Sequence, residues 1–279
     1  LFPRRHQRAG RSLMRIGIIQ SEPAHLDPKL SCTRLAPQIE ACVAEGAEIV
    51  VLPELAGSGY LFPNLEALSG LAEPADGSGL FLNWLIQRCK EHDIAIVSGY
   101  AEVSQGTLFN SAAFLTPKGV RGNYRKLHLF DTEKELFQPG DAGVPVFEWR
   151  GAKFSILICF DWSFPEVWRM AALAGADFVA HCSNLVLPWA QTGVKGHALC
   201  NHIGVFTANR IGTESQGDTQ VTFTGGSQAI TPTADLLASA PRAEIWQGVF
   251  EFEPSLARNK QVTGHNHLFE DRRRDMYSL

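Results

Sequence analysis

The sequence predicts an α/β protein in which amphipathic helices cover large sheets, and three observations carry that reading. Nine β-branched or aromatic runs recur along the 279 residues, each bounded by Gly, Pro, Asp or Asn. Stretches with apolar residues at helical spacing lie between them. No repeat at a solenoid period, no low-complexity segment and no linker rich in Pro, Gly or Ser divides the chain, so one domain is the economical arrangement.

The first strand is RIGIIQ (15–20), directly after Met14. The preceding LFPRRHQRAGRSL is basic but lacks the apolar stretch of a secretory signal, so residues 1–13 are expected to be an upstream extension or cloning remnant. LAPQIEACVAEGA sets Leu35, Ile39 and Val43 four apart on one helical face, and Pro37 is expected to begin or bend that helix. EIVVLP (48–53) follows as a strand; LFLNWLIQRCKEH then groups Leu80, Trp84 and Leu85 on a helix before IAIVSGY (94–100) and NSAAFL (110–115). FSILICF (154–160) runs into FPEVWRMAALAGA, where Pro165 suits a first helical turn and Gly175 its end. DFVAHC (177–182), GVFTANR (204–210), SQAIT (227–231) and GVFEFE (248–253) complete the strands. Beyond residue 255 the chain is charged, with isolated Leu268, Phe269, Met276 and Tyr277, which suits an arm packed on another subunit.

Composition narrows the partners. A formal net charge of -4, with signs interspersed, gives no electrostatic reason to expect nucleic acid or a membrane surface, so a small molecule is the expected partner. No apolar run approaches the roughly 20 residues that cross a bilayer. The six cysteines are scattered without a CxxC pair, which points away from a disulfide framework and toward a reducing cytoplasm.

Three residue types then suggest chemistry. Cys159 ends an apolar strand that runs into a Pro-initiated helix, at the carboxyl edge where open α/β folds place reacting groups. A thiol that titrates near 8.5 needs a base or a cation beside it. His128, His181 and His202 lie near strand ends, but no Asn or Asp stands at a spacing that would orient them. Glu54, in VVLPELAGSGY, ends a buried strand before a Gly-rich turn, where desolvation would raise its pKa into a range useful for proton transfer; a turn cap is the plainer alternative. Lys126, in NYRKLHLFDTEKELFQPGD, would alone be an ordinary surface charge. The pair His265 and His267 lacks a third ligand at zinc spacing, so no metal site is expected.

Taken together, LPEL with Glu54, YRKLHLF with Lys126 and CFDWSFPE with Cys159 resemble the three blocks of the nitrilase superfamily of carbon-nitrogen hydrolases, in the family's order. The similarity runs from about residue 15 through ANRIGTE to LARNK. It implies a four-layer αββα sandwich over residues 14–255, a Glu-Lys-Cys catalytic set, and a homodimer or higher homo-oligomer with a C-terminal arm formed by residues 256–279. It also implies a second glutamate, matched by Glu135 in ELFQPG. In that scheme Glu54 takes the thiol proton, Cys159 attacks an amide or nitrile carbon, and Lys126 with the Phe160 N–H stabilises the developing charge. Ammonia leaves, water hydrolyses the thioester, and no metal or organic cofactor is required.

Substrate is less legible. Tyr60, Phe160, Trp162 and Asn184, together with Phe62 and Trp189, fall near strand edges and could wall a compact pocket, although each could equally be packing. CFDW is closer to amidase and carbamoylase members than to the CWE pattern of many nitrilases, so a small amide or N-carbamoyl compound leads and a small aliphatic nitrile follows. A catalytically silent binding protein on the same fold is the non-enzyme alternative.

Overall fold

Strand alternation decides how the layers stack. The computed structural model describes residues 13–277, so the upstream segment lies outside the described residues apart from Leu13. The elements run in the order β1 (Met14–Gln20), α1 (Pro28–Ala44), β2 (Ile49–Val51), α2 (Leu65–Leu71), α3 (Leu80–His92), β3 (Ala95–Ser104), β4 (Thr107–Thr116) and β5 (Gly119–Arg125). There follow α4 (Glu133–Leu136), β6 (Val146–Trp149), β7 (Ala152–Ile158), a 3₁₀ turn (Cys159–Ser163), α5 (Pro165–Leu173), β8 (Phe178–Cys182), α6 (Ala190–Asn201) and β9 (Gly204–Ala208). The chain ends with β10 (Thr213–Gln216), β11 (Thr219–Thr222), β12 (Gln228–Ile230), β13 (Leu236–Ser239), β14 (Trp246–Phe252) and α7 (Pro254–Arg258).

One six-stranded sheet has the order β14-β1-β2-β3-β4-β5 and the other β13-β12-β9-β8-β7-β6, while β10 and β11 pair as a separate hairpin. In the first sheet Ile16, Ile18, Ile49, Val51, Val97 and Phe114 face the second sheet. Their neighbours Ile19, Val50, Ile96, Ala113 and Leu115 turn the other way onto α1 and α3, where Leu35, Ile39, Phe81 and Leu85 cover them. The second sheet repeats the device. Phe154 meets Phe114 across the sandwich with ring centroids 5.0 Å apart, whereas His181, on the opposite face, meets Trp168 of α5 at 5.6 Å. Both faces of each sheet are therefore covered, which is why the strands read as continuous apolar runs. The result is the expected αββα sandwich. The strands β1, β2 and β3 are mutually parallel, as are β7, β8 and β9.

Two expectations are corrected. Helix α1 does not begin at Pro37 but nine residues earlier, because Asp27 caps it by accepting from the Leu30 N–H at 3.0 Å and Pro28 occupies the first turn. The buried face of α3 is Phe81, Leu82, Leu85, Ile86 and Cys89, and Leu80 is exposed. In the tail, Met276 and Tyr277 are exposed, but Phe269 lies on its own chain, 5.2 Å from the Arg169 guanidinium and 5.1 Å from the Lys260 ammonium. No helix among the described residues is long and apolar enough to cross a membrane.

Candidate active site

Glu54, Lys126 and Cys159 each leave the end of a strand at the same edge of the sandwich. Glu54 stands three residues past β2 in a turn whose Leu55 has φ 48°. That turn is pressed onto β3: the Leu52 N–H donates to the Val97 carbonyl at 2.8 Å and the Ala56 N–H to the Gly99 carbonyl at 3.1 Å. A Cβ on Gly99 would stand 2.4 Å from the Glu54 Cα, so this approach requires glycine. Lys126 immediately follows β5, its N–H tied to the Asn110 carbonyl at 2.8 Å. Cys159 immediately follows β7 with φ 42°, a left-handed conformation that turns the chain sharply out of the strand.

The fully buried Lys126 ammonium donates to Glu54 Oε1 at 2.7 Å and to Glu133 Oε1 at 2.7 Å. Asn110 Nδ2 also donates to Glu54 Oε1, at 2.7 Å, and the Tyr60 hydroxyl donates to Glu133 Oε1 at 2.7 Å. Among the described residues the other Glu54 oxygen, Oε2, has no hydrogen-bond partner. Burial raises the Glu54 pKa, Lys126 opposes that rise and Glu133 reinforces it. Burial alone would lower the Lys126 pKa, but the Glu133 and Glu54 carboxylates outweigh it and hold the ammonium charged. The Cys159 thiol is pushed up by burial and by Glu54, and drawn back by Lys126 and the Asn184 backbone N–H. A neutral thiol thus faces a carboxylate with one free oxygen and a permanent cation.

A family model for carbon-nitrogen hydrolases matches residues 15–246. The chain belongs to the carbon-nitrogen hydrolase family. It is 37% identical over 265 residues to a nitrilase of Pyrococcus abyssi, covering 95% of this chain and 99% of that one. It is also 33% identical over 235 residues to an (R)-stereoselective amidase of a Pseudomonas species, covering 83% and 82% of the two chains. Among solved structures, a nitrilase-superfamily amidase of Nesterenkonia AN1 superposes with a TM-score of 0.78 at 25% identity over 89% of this chain and 94% of that one. A mutant of that amidase has been solved in complex with butyramide.

In this hydrolase the second glutamate beside the lysine is Glu133, which corrects the expectation for Glu135. Successive residues of a helix turn by about 100°, so two positions in α4 point to nearly opposite sides. Glu133 is buried and Glu135 exposed. Phe137, four residues after Glu133 and therefore on the same face, is buried with it. Asn110 was also missed, because nothing in NSAAFL marks one polar residue of a buried strand as a partner for Glu54.

Phe160, Trp162 and Asn184 do line one narrow cavity at Cys159, with Phe130, Leu185, Val186 and Leu187. Asn184 is buried, and both atoms of its side-chain amide lack a partner among the described residues. Trp162 packs closely on α6, where a Cβ at Gly193 would stand 2.8 Å from its ring. Tyr60 points at Glu133 instead of the cavity. Phe62 packs on Phe137 and Trp189 is 60% exposed, so neither belongs to the wall.

The histidines have other duties. His181 Nε2 lies 3.0 Å from the Cys159 carbonyl and Nδ1 3.1 Å from the Thr207 hydroxyl. Burial lowers its pKa to about 4, which keeps the ring neutral with Nε2–H donating to that carbonyl. His128 does have an aspartate to orient it, Asp161 at 2.7 Å, but from a distant segment. His202 Nδ1 lies 3.2 Å from the Asn259 carbonyl, beyond the end of α6. His267 Nδ1 accepts from the Phe269 and Glu270 N–H groups, a turn cap rather than a ligand arrangement. Glu40, Glu91 and His92 cluster closely enough to hold an ion, but Arg88 already stands 2.8 Å from Glu91 and 3.8 Å from Glu40.

Proposed function

We propose that this hydrolase cleaves the C–N bond of a small uncharged aliphatic amide through a thioester on Cys159. The observation that carries the reading is the free Oε2 of Glu54, in a carboxylate whose other oxygen is held by Lys126 and Asn110. Such an oxygen is a proton acceptor fixed in place, and its raised pKa makes it a stronger base than an ordinary carboxylate. As Oε2 takes the thiol proton, sulfur attacks the carbonyl carbon and charge builds on the carbonyl oxygen. The Lys126 ammonium and the Phe160 N–H, which opens the 3₁₀ turn where first-turn donors lack internal partners, stabilise that charge. The proton on Glu54 passes to the nitrogen, and ammonia departs. Water then gives its proton to Glu54 and attacks the thioester, releasing the carboxylic acid and returning the proton to sulfur. Glu133 keeps Lys126 in place throughout.

The narrow, mostly apolar wall favours a short acyl chain, and the unpartnered amide of Asn184 suits one neutral polar group of the substrate. Butyramide, bound by a mutant of the Nesterenkonia amidase, is a neutral amide with a short acyl chain of this kind. The similarity to the Pyrococcus nitrilase favours a second reading, in which a small nitrile enters the same thioester path. A binding protein would not need a buried ammonium between two buried carboxylates, an arrangement that is costly to maintain.

Ammonia release from a panel of butyramide, an N-carbamoyl amine and butyronitrile, followed by acid quenching and peptide mass analysis, tests the proposal. The expected result is turnover of the amide above the other two, a butyryl adduct on Cys159, and no turnover by Cys159→Ala. An adduct on Cys182 or Cys200 overturns the assignment.

A further inference from the structure

We propose that Asp161 is a positioning residue that fixes the Lys126 ammonium relative to the Cys159 sulfur, a role that rests on the assignment of those two residues above. Asp161 is fully buried, and each of its carboxylate oxygens takes two donors. Oδ2 accepts from the Tyr124 hydroxyl at 2.7 Å and from the Ile158 N–H at 2.9 Å. Oδ1 accepts from the His128 N–H at 3.2 Å and from His128 Nδ1 at 2.7 Å. Tyr124 and His128 lie two residues on either side of Lys126. Ile158 precedes Cys159, and Asp161 follows it by two. One carboxylate therefore ties the chain on both flanks of the cation to the chain on both flanks of the nucleophile.

The turn does not depend on this side chain alone for its shape, although Oδ2 caps it through the Ile158 N–H. Its backbone is already held by the Phe164 N–H and the Trp168 Nε1–H, which donate to the Asp161 carbonyl at 3.2 and 3.1 Å, and by His181 at the Cys159 carbonyl. What the carboxylate adds is the link across to the lysine segment. A second strut reinforces it: the His128 ring stacks on Phe164 of the nucleophile turn, with centroids 3.6 Å apart and planes 8° from parallel. Burying an ionised carboxylate is expensive unless every lone pair is used, and here four donors use them. Reacting groups displaced by about 1 Å lose on the order of 100-fold in rate, which is the scale such a link protects.

Asp161→Asn tests the proposal, because it keeps the volume but sets an NH₂ group against two existing donors. The expected result is a kcat lower by roughly 100-fold with KM within about threefold, and slower alkylation of Cys159 by iodoacetamide. Alkylation reads the thiol without any substrate, so a protein that hydrolyses none of the panel yet shows Asp161-dependent alkylation would sink the amidase assignment and leave this one standing. In a Lys126→Met background Asp161→Asn should slow alkylation no further, since the residue acts through the lysine. Equal slowing in both backgrounds, or a kcat within about threefold of the parent, overturns the proposal. Should Asp161→Asn not fold, Tyr124→Phe removes a single donor without changing shape. It should lower kcat by roughly fivefold at unchanged KM, and an unchanged kcat would count against the role as decisively.

Discussion

Replacing Glu133 with glutamine separates the structure from the sequence expectation most directly. Glu133 Oε1 lies 2.7 Å from Lys126 Nζ, and both side chains are buried. Unit charges at that separation attract by about 6 kcal/mol at an effective dielectric of about 20, from which the desolvation of the carboxylate must be subtracted. Glutamine retains an acceptor for the ammonium and for the Tyr60 hydroxyl, so the net loss is the charged part of one hydrogen bond, about 2–3 kcal/mol. If that loss falls on the transition state, where Lys126 must stay aimed at the new oxyanion, the rate drops by roughly 100-fold. A second signature accompanies it. Glu133 helps to raise the Glu54 pKa, so its neutralisation should move the acid limb of kcat/KM to lower pH. The assay is ammonia release from butyramide between pH 4 and 9, with Glu135→Gln as the control expected to stay within about twofold of the parent. Full activity in Glu133→Gln, or a large loss in Glu135→Gln, would refute the reasoning.

Other perturbations follow from the same geometry. Glu54→Gln preserves the shape of the Lys126 and Asn110 contacts but cannot accept a proton, so turnover should fall by roughly 100-fold or more; unchanged turnover with lost stability would mark Glu54 as a structural cap. Burial lowers the His181 pKa from 6.5 to about 4, so the unfolded chain binds the proton more readily and stability is complete above about pH 6.5. About 3 kcal/mol should then be lost as pH falls toward 4, and His181→Gln should flatten that slope in urea melts; an unaltered slope would contradict the assignment. Deleting residues 265–279 removes Phe269 from Arg169 and Lys260, and should both lower the melting temperature and shift a dimer toward monomer in sedimentation at micromolar concentration. A parent protein that sediments as a monomer would refute the subunit-bridging arm.

How much of this was legible depended on how local each signal was. The strands β1, β2, β7, β8 and β9 are buried on both faces, and the sequence announces such strands as unbroken apolar runs. The strands β5 and β6, GVRGNYR and VFEW, are only half-buried at a sheet edge; the Gly, Arg and Asn of β5 conceal it, and β6 is only four residues long. The start of α1 was readable in Asp27-Pro28, a cap followed by a first-turn proline, but Pro37 within the helix outweighed it. Glu54 and Cys159 were visible because each sits beside a strand end, and Lys126 only through the resemblance of its block to the family. The choice between Glu133 and Glu135 required the phase of a four-residue helix, too short to display a period. The clasp of Asp161 on Tyr124 and His128 joins residues more than thirty positions apart, and nothing in either segment names the other.

The left-handed backbone at Cys159 carries a consequence for descent. A side chain in that conformation strains the fold by about 1–2 kcal/mol, and glycine or asparagine would rest there more easily. On the proposed mechanism, the thiol is held against a standing pull toward a calmer residue by the benefit of its reactivity. In a lineage that had abandoned the chemistry and kept the scaffold for another purpose, position 159 would be among the first to drift, and its fold would become firmer as its activity vanished.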